Sequence, residues 1–262
     1  MAQPDAASVA SNISQELFSM LEREEQQLDS FTRKRIERDI NKVTDIAKRL
    51  FLSGLLSVVY NEIEKGIDAC EQAIRLAPHD LVMWENYTTM IWRIKGTLAS
   101  YRVRLRSLDY INQPSFLLST LLIQQQLNDF KAALETVDLL EKILGTESAK
   151  KLFNELGDLT VDEMIELNKK PQAETAKDVT KLMFSLAEEE HNFKVKTTFR
   201  ELETDSDTFC IEMFLPNIKL EELKSINRQL LAKRRELGLA TSEVVGLFRE
   251  YLSADESQIL EA

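Results

Sequence analysis

A mostly α-helical chain with a small α+β module at its C-terminal end is what this sequence predicts, and three observations carry the prediction. Its 262 residues include only 7 Gly and 5 Pro, too little turn chemistry for an all-β fold with many tight hairpins. Up to about residue 190 apolar residues recur at steps of three and four, the helical period. Beyond that point two short runs alternate with a period of two. With 44% hydrophobic residues the chain can bury one large core or two modest ones.

After a polar tail to about residue 11, "ISQELFSMLEREEQQL" puts Ile13, Leu17, Met20, Leu21 and Leu28 on a helical stripe. "DSFTRKRIERDINKVTDIAKRL" follows with Asp29 and Ser30 as caps. Ile36, Ile40, Val43, Ala47 and Leu50 then form the apolar face of a second helix. Its opposite face mixes both signs of charge and reads as solvated.

From about residue 47 a longer pattern begins. Placing Pro78 at the end of a unit sets Gly54 and Gly66 near the middle of two helices, with Ala73 packing near the end. In the next unit come Trp84 and Tyr87, then Ser100 and Arg104. A third unit starts near Pro114 and carries Phe130 and Ala133, with 36 residues from Pro78 to Pro114. This pattern resembles the tetratricopeptide repeat, a 34-residue helix-turn-helix unit that uses Gly or Ala where its helices cross. The resemblance spans roughly residues 47–145 as about three degenerate units, and it departs from the family at Ser100 and Arg104. A generic antiparallel helical bundle is the competing reading, because prolines at helix ends and small residues at crossings occur there too.

Residues 146–190 read as connecting helices: "ESAKKLFNELG", "TVDEMIELNKK" and "ETAKDVTKLMFSLAEEE", with "NKKPQAET" as the best linker. Next, "FKVKTTF" and "FCIEMFL" alternate as two strands of a hairpin with "ELETDSD" as the turn. "NIKLEELKSINRQLLAKRRELG" is a helix capped by Asn217 and ended by Gly238, and "SEVVGLFREYL" is a third strand. The expected organisation is residues 1–170 helical, 171–190 a connecting helix and 191–262 a ββαβ module with a tail. Such a module exposes a sheet edge, so it should dock on the helices or pair with another chain, making a homo-oligomer through residues 191–252 an expectation.

Thirty-three basic against 44 acidic side chains give a net charge of −11, which opposes non-specific attraction to a phosphate backbone. Cys70 and Cys210 lie far apart among apolar neighbours and read as buried thiols in a reducing compartment. With no basic-then-apolar leader and no run approaching 18 apolar residues, a cytoplasmic protein without a membrane partner is expected. His79 and His191 are isolated, no metal-ligand spacing occurs, and no phosphate loop or nucleophile elbow is present. No catalytic residue, metal or cofactor is therefore assigned, and an enzyme remains only as an unrecognised class. "REEQQ" and "AEEEH" read as solvated helix faces.

The tetratricopeptide resemblance implies a concave groove lined by the first helix of each hairpin. Its positions here are Leu55 and Val58, then Glu85, Thr89, Trp92 and Arg93, then Leu118, Leu122 and Gln125. Trp92 is either the anchor of that groove or a core residue. One subclass of the family clamps an acidic C-terminal peptide, but its positions hold Phe51, Leu55, Ser115 and Ser119 here and agree only at Asn86. Two basic clusters, Arg102, Arg104 and Arg106 and then Lys233, Arg234 and Arg235, are either patches for an acidic partner or ion-paired helix faces. The sequence thus points to a non-enzymatic scaffold or adaptor that binds a protein or peptide. The alternative is a subunit of a nucleic-acid-associated complex using its arginine-rich helices.

Overall fold

A computed structural model describes residues 6–22, 29–156, 159–193, 195, 197–203, 208–241 and 243–251. These are mostly helical, with a small sheet near the C-terminal end. They form two compact units. One holds the described residues up to Ile94 together with Arg102–Ile111, and the other holds Lys95–Tyr101 and the described residues from Asn112 onward.

The first unit begins with α1 (Ala6–Glu22), longer at its start than the expected tail allows, and α2 (Ser30–Ile40). Asp29 caps α2, its carboxylate accepting from the Phe31 and Thr32 amides at 2.8 and 2.9 Å, and those bonds lower its pKa. The apolar period runs on from Ile40 through Val43 to Ala47, yet the chain breaks at residues 41–45. There Asp45 caps a new helix, α3 (Ile46–Val59), by accepting from the Lys48 amide at 2.9 Å. Helix α4 (Ile63–Leu76) packs on α3, and so do α1 and α2.

The α3–α4 approach is set by two glycines. A Cβ on Gly54 would lie 2.8 Å from the Gly66 carbonyl oxygen and 2.6 Å from Cys70 Sγ, and one on Gly66 would lie 2.7 Å from the Gly54 carbonyl oxygen. Only glycine lets two backbones touch in this way.

Helix α5 (Leu81–Ser107) is broken at Gly96, whose φ of 82° leaves the helical region. Before the break, Trp84 is buried, and its indole N–H donates to the Pro78 carbonyl at 2.8 Å. The stretch Pro78–Trp84 therefore closes on itself as a turn.

In the second unit, α6 (Pro114–Gln126) pairs with α7 (Phe130–Leu144), followed by α8 (Thr146–Leu156), α9 (Val161–Lys169) and α10 (Ala173–Phe184). The expected linker is a three-residue connection, Lys170–Gln172, whose Gln172 is buried. A π-helical turn, Ser185–Glu190, extends α10.

The α3–α4 and α6–α7 connections are built alike. Asn61 and Asn128, 67 positions apart, take φ of 61° and 54°. Each donates its amide three residues back, to Val58 at 2.9 Å and to Gln125 at 3.0 Å. The next residues, Glu62 and Asp129, donate five residues back and open α4 and α7 with nearly equal φ and ψ. Gly96, between the two, is the intervening positive-φ position.

Strands β1 (Thr197–Glu203), β2 (Thr208–Pro216) and β3 (Val244–Tyr251) form the sheet in that order, with α11 (Leu220–Glu236) between β2 and β3. β1 runs antiparallel to β2, and β3 runs parallel to it. β1 starts later than the "FKVKTTF" expectation and takes in Glu201–Glu203, while the remainder of the expected turn, residues 204–207, lies outside the described residues. The cap of α11 falls at Lys219 rather than Asn217, which instead takes φ 55° in the approach to the helix. Phe209, Ile211, Met213 and Leu215 of β2 point into the core as the alternation requires. Helices α10 and α11 cover that face, and Val179, Met183 and Leu230 all lie close to Gly246.

Candidate partner-binding groove

Three helices of the first unit bring polar and apolar groups to one surface. α1 lies on α3 through buried Ile13 and Leu17, one helical turn apart. It reaches α5 through side chains: Asn86 Nδ2 donates to Ser14 Oγ at 3.4 Å, and Arg93 Nη2 donates to Glu22 at 2.7 Å. Arg35 of α2 holds Glu16, with Nη1 at 3.3 Å from one carboxylate oxygen, and that bond raises the guanidinium pKa.

Beside α1 opens a cleft of about 650 Å³. Phe18 of α1, Phe51 and Leu52 of α3, and Val82 and Met83 of α5 give it an apolar lining, while Lys48 and Asn86 add polar groups. Val82 is 62% exposed there, although it lies in the first turn of α5 and the next two residues are buried. Asp80 caps α5 by accepting from the Met83 amide at 3.0 Å and so fixes where Val82 projects.

The residues expected to line a groove separate into two groups. Leu55 and Val58 are buried, and Val58 packs on Gly66 of α4. Gln125 is buried as well, its Nε2 donating to the Leu159 carbonyl at 3.1 Å. All three are therefore covered from within the chain. The resemblance aligns a helix face, but here Val58 turns toward α4, further helices α1 and α2 pack on α3, and Met164 of α9 meets Gln125.

Trp92 is 47% exposed, unlike buried Trp84, and carries the Arg93 guanidinium 5.8 Å from its ring centroid. Glu85 and Thr89 are half-buried, with the Thr89 hydroxyl bonded back to the Glu85 carbonyl at 2.9 Å. Leu118 is half-buried and Leu122 exposed, both on α6 of the second unit.

The basic clusters are largely engaged within the chain. Arg106 donates to Glu71 at 2.7 Å, on the same oxygen that accepts the Tyr87 hydroxyl at 2.6 Å, and its guanidinium lies over the Trp84 ring. Burial depresses the Arg104 pKa, with the charge of Glu85 opposing the shift. Lys233 pairs with Glu190. Arg234, expected on a basic surface, is buried and donates to the Leu239 carbonyl at 3.0 Å and to the Val244 carbonyl, and burial lowers its pKa. Arg102 and Arg235 are exposed.

Cys70 is buried, and desolvation pushes its thiol well above the ordinary range, whereas Cys210 is only half-buried. Among the described residues no three His, Cys, Asp or Glu side chains are placed to share a metal ion, and no helix is long and apolar enough to cross a membrane.

Glu188, inside the run read as a solvated face, is a further departure. Its carboxylate accepts the Thr97 amide at 2.5 Å and the Thr97 hydroxyl at 2.8 Å, just past the break at Gly96. It therefore caps the second half of α5 from a distant segment, and burial raises its pKa. No local signal in "AEEEH" distinguishes it from its neighbours.

Lys48, Leu52, Val82 and Phe18 were not among the expected groove residues. The amphipathic stripe of α1 was legible, but a stripe does not say where it docks. No family model, curated protein or solved structure matches this chain.

Proposed function

We propose that the protein is a non-enzymatic scaffold that binds a segment of another protein in the groove of its first unit. The cleft beside α1 carries the proposal. A concave site with an apolar lining and a few convergent polar groups is the usual form of a recognition pocket. Its helices would belong to tetratricopeptide-like hairpins, a reading supported by the glycine crossing of α3 on α4 and by matching asparagine turns 67 positions apart. That spacing is close to twice the 34-residue period of the repeat.

The C-terminal module would aid association at β1 rather than β3. The Asn227 side chain occupies both backbone groups of Phe248, donating to its carbonyl at 3.0 Å and accepting its amide at 2.9 Å. Arg234 takes the carbonyl of Val244. A helix thus covers part of the β3 edge, a common protection against strand pairing. β1 is the other edge of the sheet.

Selection of displayed peptides on the immobilised full chain tests the groove. Enriched peptides should share apolar anchors, and Val82→Asp or Lys48→Glu should weaken them at least tenfold while Leu231→Asp, on α11, leaves them unchanged. Binding indifferent to Val82 and Lys48 would place the interaction elsewhere.

A further inference from the structure

We infer that α1, which walls one side of this groove, is a built-in stand-in for its ligand and that the natural partner is an acidic amphipathic helix that takes its place against α3 and α5. The inference rests on the groove proposed above and specifies the chemistry of its ligand. Arg93, expected from the resemblance to meet a partner, is already held by Glu22 of α1 at 2.7 Å. Asn86, about two turns earlier on α5, meets Ser14. A segment of the chain itself therefore makes the contacts a partner would make.

The mode of seating defines a pattern. Ile13 and Leu17 are apolar anchors spaced i, i+4, Glu16 goes to Arg35, and Glu22 goes to Arg93. A ligand presenting the same spacing would meet the two arginines that α1 gives up, Arg35 and Arg93, although the chain as a whole carries −11.

α1 is also lightly held. Ile13 and Leu17 are its only buried residues among those whose side chains are described, whereas α3 buries eight of 14. Glu22 lies in the last turn of α1, where a negative charge opposes the helix dipole. Its value lies in meeting Arg93, not in the helix it ends. The open cleft beside α1 gives an entering helix a first foothold at Val82.

A fluorescent synthetic peptide with the sequence of Ala6–Glu22, titrated by anisotropy into the full chain, tests the inference. An attached segment competes at an effective concentration on the order of millimolar, so the parent chain should bind the peptide weakly. Leu17→Ala in the chain, which loosens the attached helix, should tighten peptide binding at least tenfold. If that variant fails to fold by circular dichroism, Glu16→Lys with Glu22→Lys removes the charged contacts without touching a buried apolar group and should give a smaller gain, about threefold to tenfold. A peptide carrying Lys in place of Glu22 should bind the loosened chain about threefold to fivefold more weakly and recover on Arg93→Glu. Equal binding to parent and folded loosened chains, or indifference to the charge exchange, overturns the inference. Selected peptides that still depend on Val82 and Lys48 would then leave the groove itself standing.

Discussion

Gly54→Ala is the sharpest test of how the first unit is built. The new Cβ would stand 2.8 Å from the Gly66 carbonyl oxygen, 2.6 Å from Cys70 Sγ and 3.1 Å from the Cys70 amide nitrogen. Ordinary contact begins near 3.4 Å, so about 0.6 Å must be found against the carbonyl. A carbonyl within a helix cannot turn aside, so α3 and α4 have to part. Overpacking costs about 1–3 kcal/mol, and contact with backbone rather than a flexible side-chain end places this case in the upper half of that range. Against it, alanine returns about 1 kcal/mol of helix propensity, leaving a net loss of about 1.5 kcal/mol. For a chain of this length that is roughly a 3–6 °C fall in Tm. Urea unfolding followed by circular dichroism measures it directly, with Gly145→Ala as the comparison. Gly145 has φ 81° and nothing within 4 Å of a Cβ, so its cost is conformational alone. If Gly54→Ala proves as stable as the parent, the close crossing is not what holds α3 on α4, and the tetratricopeptide-like reading loses its main support.

Three further outcomes are expected. Burial raises the Glu188 pKa, so the folded chain holds that proton more tightly than the unfolded one; the contribution is fully present below the ordinary value near 4.5 and is lost as pH climbs through the raised value. Glu188→Gln should flatten that part of a urea-midpoint profile between pH 4 and 8, and a profile parallel to the parent's refutes the assignment. Asn227→Ala removes both partners of the Phe248 backbone, costing about 1–3 kcal/mol for each group left unpaired. It should also raise the mass seen by concentration-dependent light scattering, and an unchanged mass means the β3 edge needs no protection. Trp92→Ala should lower Tm by no more than a few degrees yet weaken a groove-selected peptide at least tenfold, by analogy with exposed aromatic anchors worth about 2 kcal/mol. The reverse pattern assigns Trp92 to the core.

What could be read from the sequence was local. Asp29 as a cap, Gly54 and Gly66 as a crossing, and the alternation from Phe209 to Leu215 each follow from residues close together in the chain, and each appears in the structure. The break at residues 41–45 was hidden because Ile40, Val43 and Ala47 keep the helical period across it. Gly96 was hidden for a related reason, since periodicity senses which face is apolar and not the sign of φ. The groove suffered most. Leu55, Val58 and Gln125 occupy helix faces that a repeat would expose, and only tertiary packing shows α1, α2 and α9 against their helices. Glu188 and Arg234 carry charge in runs that look solvated, and their partners, Thr97 and the Leu239 and Val244 carbonyls, are not marked in the sequence by any spacing rule.

Two surfaces of the molecule are satisfied from within, and the physics of the two differs. On β3 the partners are the Asn227 amide and the buried Arg234 guanidinium, bonded to backbone groups that would otherwise be left without hydrogen bonds. Breaking such bonds leaves desolvated polar groups behind, a penalty of about 1–3 kcal/mol each that salt hardly changes. At α1 the polar ties run between side chains that keep much of their exposure, 35% for Glu16 and 58% for Glu22. Pairs of that kind contribute about 0–1 kcal/mol and weaken as salt screens them. Ile13 and Leu17 therefore supply most of what seats α1, and a competing helix has to match two apolar side chains first, its acidic groups adding the smaller share that selects it. Loosening by added salt should consequently be small at α1 and absent at β3, while removal of one apolar anchor should release α1 alone. That asymmetry is what a covering helix requires if it is to yield to a partner while the sheet edge stays closed.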